Sequence, residues 1–317
     1  MSKYRALVLL LAMAAGSSAH AAVKPGMHKP TPISAASYPR RLTWQMTSAI
    51  TGEAYEIQLF IPSGQAPDGG FPVIYVLDGS ALFGTFSDAV RSRGNAGELQ
   101  KAVVVGIDGA RGPKEADRYY DFTPTDLTDE EKHIIVDTDP NGRHGGAEHF
   151  FQVIEREIKP LVARKVQVNP QKSTLFGWSL GGQFVVRTLF DHPNAYHTYI
   201  ALSPSIWWGD RAVLRDEPGF WRGLETGDMH PRVFIGAGAN EQTVPAGLFP
   251  GAAADKLKLE FAHARMVDNA RDLAADLSAR DTRHRLTLAS QIFEGQSHNS
   301  VPWAAINPVL DFAISRK

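Results

Sequence analysis

Two short runs constrain this chain more than anything else in it. Residues 71–77 (FPVIYVL) and 102–107 (AVVVGI) are apolar almost without interruption. A strand with one face in water alternates apolar and polar side chains, so a continuous β-branched run is what a strand buried on both faces requires. Further strand-like segments at 173–177 (STLFG), 199–202 (YIAL), 232–236 (RVFIG) and 286–293 alternate with helical segments at 81–91, 149–166, 180–190, 264–277 and 303–314. In the second of these helices Phe150, Val153, Ile154 and Ile158 recur on one side. Strands alternating with helices predict an α/β fold, with a mostly parallel central sheet and helices on both faces. Segments 42–50 and 54–62, separated by Thr51-Gly52, read as a hairpin that adds an antiparallel N-terminal edge. Residues 109–146 have no clean period, and so long a stretch inside a domain is more often a functional insertion than a linker.

The N-terminus reads differently. Lys3 and Arg5 precede an apolar run at 6–16, and 17–21 end in Ala19-His20-Ala21, the three-part layout of a secretory signal peptide. The run is shorter than the roughly 20 residues a bilayer span needs. Residues 1–21 are therefore expected to be cleaved on export to a periplasm, with no stable membrane anchoring afterwards. Residues 22–38 would form an extended leader, and 39–317 a single domain. The 317 residues are 43 % apolar and 21 % charged, the composition of a soluble globular protein. A formal charge of −1 gives no electrostatic reason to expect a nucleic-acid partner. Cysteine is absent, which removes thiol nucleophiles, thiolate metal sites and disulfides together. With no H-E-x-x-H, G-x-G-x-x-G or phosphate-binding loop, no metal or cofactor is expected.

The chemistry concentrates at Gly177-Trp178-Ser179-Leu180-Gly181. This G-x-S-x-G lies between a β run and a helical run, the strand–turn–helix setting of a nucleophile elbow. There a strained turn projects the serine hydroxyl above the sheet, and glycines on either side let strand and helix approach closely. A serine hydroxyl needs a general base, and in this setting the chain order is serine, acid, histidine. Of eleven histidines, His298 lies in the right order, in the loop after the last strand and before the last helix. His284 precedes that strand and reads as a solvated turn. Glu241 follows the strand at 232–236, where the acid belongs, although the residues alone leave a Ser–His dyad open. An oxyanion hole needs two backbone N–H groups. Leu180 offers one, and Ser80, in the Asp78-Gly79-Ser80 turn after the strand at 71–77, is expected to offer the other.

Several segments resemble the esterase (esterase D-like) branch of the α/β hydrolases: VIYVLDG, RYYDFTP, FFQVIEREIKP, GWSLGGQF, ALSPSIWW, GAGANE and FEGQSHNSVP. The chain looks most like trilactone siderophore esterases of the IroE and bacillibactin types, from about Tyr55 to the C-terminus. This resemblance implies an α/β-hydrolase fold, with Ser179 as nucleophile, His298 as base and Glu241 at the acid position. It implies hydrolysis of a macrocyclic catecholate trilactone such as enterobactin. A ferric tris-catecholate is a large trianion, so a wide pocket with cations and aromatic faces is expected. Arg111, Lys114 and Arg118 in the long insertion are candidates for it, with Arg91 and Arg93 behind them. Trp178, Trp207 and Trp208 are candidates for its walls. Two alternatives stay open: a general carboxylesterase, sugar-acyl esterase or acyltransferase of the same fold, and a periplasmic binding protein without chemistry.

Overall fold

The computed structural model describes residues 40–110, 117–124, 143–227, 229–244 and 251–316. Eight strands form one sheet: β1 (Arg40–Thr47), β2 (Ala54–Ile61), β3 (Phe71–Leu77), β4 (Val103–Gly109), β5 (Val168–Trp178), β6 (Thr198–Leu202), β7 (Arg232–Gly238) and β8 (Thr287–Phe293). Their spatial order is β1-β2-β4-β3-β5-β6-β7-β8. The β1–β2 and β2–β4 pairs are antiparallel, and every pair from β4 to β8 is parallel. The expected hairpin edge is there, closed where Ser48 N–H donates to the Glu53 carbonyl (2.8 Å) and Gly52 takes a left-handed φ of +74°.

Alternation along the central strands divides the core in two. In β3, Val73, Tyr75 and Leu77 enter one apolar cluster, while Ile74 and Val76 enter the other. That is the physical content of the unbroken run: both faces are dry. One face is covered by α1 (Gly79–Asn95) and the C-terminal helix Val301–Ile314. The other is covered by the helices between Ala147 and Ala163, by Leu180–Asp191, by Glu217–Thr226 and by Met266–Arg280. In chain order the remaining helices are α2 (Arg118–Phe122), α3 (Ala147–Val153), α4 (Lys159–Ala163), α5 (Leu180–Asp191), α6 (Glu217–Thr226), α7 (Ala252–Ala264), α8 (Met266–Arg280) and α9 (Val301–Ile314).

Three departures from the sequence expectation have physical reasons. The helix expected at 149–166 is broken by a π-helical turn, Ile154–Ile158, between α3 and α4. β5 starts at Val168 rather than 173, because its first five residues, VNPQK, are half-buried or exposed and form no apolar run. Helix α7 buries none of its described side chains fully, so it has no apolar stripe from which its period could be read. Among the described residues, no helix is long and apolar enough to cross a membrane.

Candidate active site

β5 ends at Trp178 and α5 begins at Leu180, which leaves Ser179 as the whole turn. Its backbone sits at φ 61°, ψ −123°. A residue with a side chain pays about 1–3 kcal/mol for such a conformation and keeps it only when its surroundings over-determine it. They do so here. Ser179 N–H donates to the Leu202 carbonyl (3.0 Å), and the Ser179 carbonyl accepts from the N–H groups of Gln183 (3.0 Å) and Ser205 (3.1 Å). The neighbouring glycines are required for contact. A Cβ on Gly177 would overlap the Gly181 carbonyl, and one on Gly182 would stand 2.7 Å from the Leu202 carbonyl oxygen.

His298 lies in the loop between β8 and α9, and Glu241 in a short turn directly after β7. Strands β5, β7 and β8 run parallel, so all three groups come from the same C-terminal edge of the sheet, where open α/β folds bind ligands. His298 Nε2 is 3.0 Å from Ser179 Oγ, and His298 Nδ1 is 2.7 Å from Glu241 Oε2. The Glu241 side chain is 1 % exposed. A buried carboxylate is costly unless its oxygens are engaged, and these are. Oε1 accepts from Gly238 N–H (2.5 Å) and from the Ser203 hydroxyl (2.6 Å), leaving Oε2 for the imidazole. With Nδ1–H directed to the carboxylate, Nε2 presents its lone pair to the serine hydroxyl.

Leu180 N–H opens α5, where helix geometry leaves it without an intrahelical acceptor and free to face a substrate oxygen. Ser80 differs from the expectation. Its N–H donates to Asp108 Oδ2 (2.9 Å), because β4 pairs with β3 and carries Asp108 beside the turn that follows β3. This amide is thus engaged rather than open.

The aromatic and cationic candidates separate. Trp207 lines a cavity of about 370 Å³ next to Ser179, Glu241 and His298. Trp208, expected beside it, is a correction: it is 1 % exposed and sits in the larger core cluster. Of the two adjacent rings, the second turns inward. The Trp178 ring packs on the His298 ring, with centroids 4.9 Å apart at 34°. Arg118, a candidate for the pocket that could instead pair with a carboxylate and pin the loop, makes such a pair. It clamps Asp78 through Nε–Oδ1 (2.6 Å) and Nη2–Oδ2 (3.1 Å) and reaches the Trp178 carbonyl at 3.4 Å. Arg93 pairs with Glu98 and Asp311, and Arg91 lies 3.4 Å from Asp88. Arg111 and Lys114 lie outside the described residues. The described surface of the cavity is mainly apolar, with no lysine or arginine among its described lining residues, where a cationic pocket was expected.

Sequence reasoning missed Ser203, Ser205 and the cavity wall from α7. The signal for the serines was their place directly after β6, in ALSPSIWW at the strand's C-terminal end. Among the described residues, no three histidine, aspartate or glutamate side chains converge as a metal site would need.

A largely parallel sheet with helices on both faces and a serine elbow at its C-terminal edge defines an α/β-hydrolase fold. The family described as Putative esterase matches residues 48–265, and the chain belongs to it; its activity is ester hydrolysis. The Ferri-bacillibactin esterase BesA of Bacillus subtilis (strain 168) is 34 % identical over 281 residues, 85 % of this chain and 88 % of its own. The Siderophore triacetylfusarinine C esterase of Aspergillus fumigatus is 33 % identical over 267 residues, 79 % of this chain and 85 % of its own. The crystal structure of the BES protein from Bacillus cereus superposes with a TM-score of 0.74 at 31 % identity, covering 91 % of this chain and 99 % of that one.

Proposed function

We propose that the chain is an exported serine esterase that opens ester bonds of a siderophore, with Ser179 as nucleophile, His298 as general base and acid, and Glu241 as the group that orients the imidazole. The observation that carries this reading is the continuous relay from Ser179 Oγ through His298 to the buried Glu241 carboxylate. The similarity to enzymes named as siderophore esterases supports the substrate class.

In the mechanism, His298 Nε2 takes the Ser179 proton as Oγ attacks the ester carbonyl carbon. The carbonyl oxygen becomes an oxyanion, which the Leu180 N–H stabilises. Glu241 offsets the charge gained by the imidazole and keeps Nδ1 protonated. Collapse breaks the bond to the alkoxide, which leaves with the proton from Nε2, and the acyl group stays on Oγ. Water then repeats the sequence and frees the carboxylic acid. An alkoxide is a better leaving group than the nitrogen anion an unprotonated amide would have to release, so the acid's contribution to an ester can be smaller than to an amide.

Export is supported by the charged, apolar and small-residue layout of residues 1–21. The mature chain would begin near Ala22 and reside in a periplasm.

Mass spectrometry after incubation with enterobactin and related trilactones, with and without ferric iron, tests the substrate. The expected products are the linear trimer, heavier than the trilactone by one water, and the shorter fragments that further cuts release from it, all absent with Ser179→Ala. Intact trilactones beside rapid turnover of simple nitrophenyl esters would leave a general esterase instead.

A further inference from the structure

The cavity beside Ser179 has a wall that no catalytic group supplies. Trp207, Phe261, Ala264 and Met266 form it, and Glu260 and His263 stand at its rim. The Trp207 and His263 rings meet edge-on, 6.1 Å between centroids. Three of these four wall residues come from one short stretch around the junction of α7 and α8, where Arg265 adopts a left-handed φ of 43°. That break turns Phe261 and Ala264, on one helix, and Met266, at the start of the next, toward the same space.

The chemistry of the space is restrictive. Its volume, about 370 Å³, lies near the lower end for a drug-sized ligand, the size of one arm of a larger substrate. Among its described lining residues, the acidic or basic side chains other than histidine are both carboxylates. Glu241 is already engaged by three donors, and Glu260 is an exposed side chain 3.6 Å from Lys256. Arg265, between the wall residues Ala264 and Met266 in the chain, lies near Asp268 (3.7 Å) and Asp272 (3.3 Å) instead. An anionic ligand group placed here would lose its hydration and gain no counter-charge from the described lining.

We propose that this cavity is a subsite for one uncharged arm of the ester, aromatic or aliphatic, while charged and metal-binding parts of the substrate stay outside it. The inference rests on Ser179 being the nucleophile and deepens that reading: the enzyme grips its substrate one arm at a time, through apolar contact. Each CH₂ that is fully buried strengthens binding about fourfold, so an arm of four carbons or a phenyl ring gains most of what the site offers. Trp207 and Phe261 would set the preference for flat rings.

Boronic acids test this without assuming which side of the scissile bond enters. The trigonal boron accepts a lone pair from Ser179 Oγ, an O–B bond forms, the hydroxyl proton passes to His298, and the single substituent settles where it fits best. Inhibition of p-nitrophenyl acetate hydrolysis by the full chain should be at least about tenfold stronger for butyl- and phenylboronic acid than for methylboronic acid. 4-Carboxyphenylboronic acid should be at least about tenfold weaker than its near-isosteric, uncharged 4-carbamoyl counterpart. Phe261→Ala should weaken phenylboronic acid about tenfold and methylboronic acid less than threefold, whereas Leu259→Ala, on the exposed side of the same helix, should match the parent. Equal inhibition by methyl, butyl and phenyl compounds, or equivalence of the carboxylate and the amide, overturns the subsite and leaves the nucleophile standing. Indifference to every boronic acid overturns the nucleophile reading and this inference with it.

Discussion

The Ser203 hydroxyl donates to Glu241 Oε1 at 2.6 Å, on the side of the carboxylate away from His298. Ser203 holds a left-handed φ of 43°, and its N–H is fixed to the Gly236 carbonyl at 2.6 Å. The bond therefore joins the ends of β6 and β7 and aims Oε2 at the imidazole. Ser203→Ala is expected to lower kcat about tenfold, roughly 1.4 kcal/mol of transition-state stabilisation, with KM within twofold. Glu241→Gln, which removes the charge itself, is expected to cost about 10²–10⁴ in kcat. Steady-state kinetics on one ester checks both, and a Glu241→Gln enzyme within twofold of the parent would reduce the machinery to Ser179 and His298.

Gly177 tests the elbow's packing rather than its chemistry. A methyl group there has nowhere to go except into the Gly181 backbone, which no side-chain rotation can relieve. Gly177→Ala is expected to destabilise the fold by about 3 kcal/mol or more, read as a lowered urea midpoint. A shift smaller than about 1 kcal/mol would show that strand and helix are not held as closely as described.

Arg118 and Asp78 join α2 to the turn after β3, with the Asp78 side chain 11 % and the Arg118 side chain 34 % exposed. Removing one partner strands the other. Arg118→Met is expected to cost about 1–3 kcal/mol, and the double change with Asp78→Asn less than the sum of the two single ones. Additivity to within about 0.5 kcal/mol in a double-mutant cycle would mean that the clamp contributes nothing as a pair.

These relationships mark what the sequence could and could not carry. The central strands were legible because a dry sheet needs unbroken apolar runs, and Ser179 was legible because its elbow needs glycines at fixed spacing. His298 and Glu241 followed from chain order along the sheet edge. The bond from Ser203 to Glu241 spans 38 residues, and the pair of Arg118 with Asp78 spans 40. No local pattern encodes either one. Trp207 and Trp208 are chemically identical neighbours in the sequence, and only the packed backbone decides that one lines the cavity and the other fills the core.

Burial pushes the Asp191 carboxyl up to about 6, with Arg187 opposing and Asp216 reinforcing the shift. Its folded value lies above its unfolded one, so the folded state holds the extra proton between about pH 4 and 6. The stability this contributes is complete below that window and is lost as pH rises through it. Asp191→Asn is expected to gain about 1–2 kcal/mol relative to the parent between pH 4.5 and 7.5, allowing for screening at the partly exposed pair with Arg187. Urea denaturation of both proteins at the two pH values measures it, and a difference independent of pH would contradict the shift.

In the proposed reaction Ser179 Oγ, activated by His298, forms the bond to the substrate carbonyl. The most direct measurement is kcat/KM of Ser179→Ala against the parent on one siderophore ester, with the variant's urea midpoint recorded alongside. A loss of at least about 10⁴-fold is expected, with the midpoint preserved. Turnover within tenfold of the parent by a folded Ser179→Ala protein would contradict it.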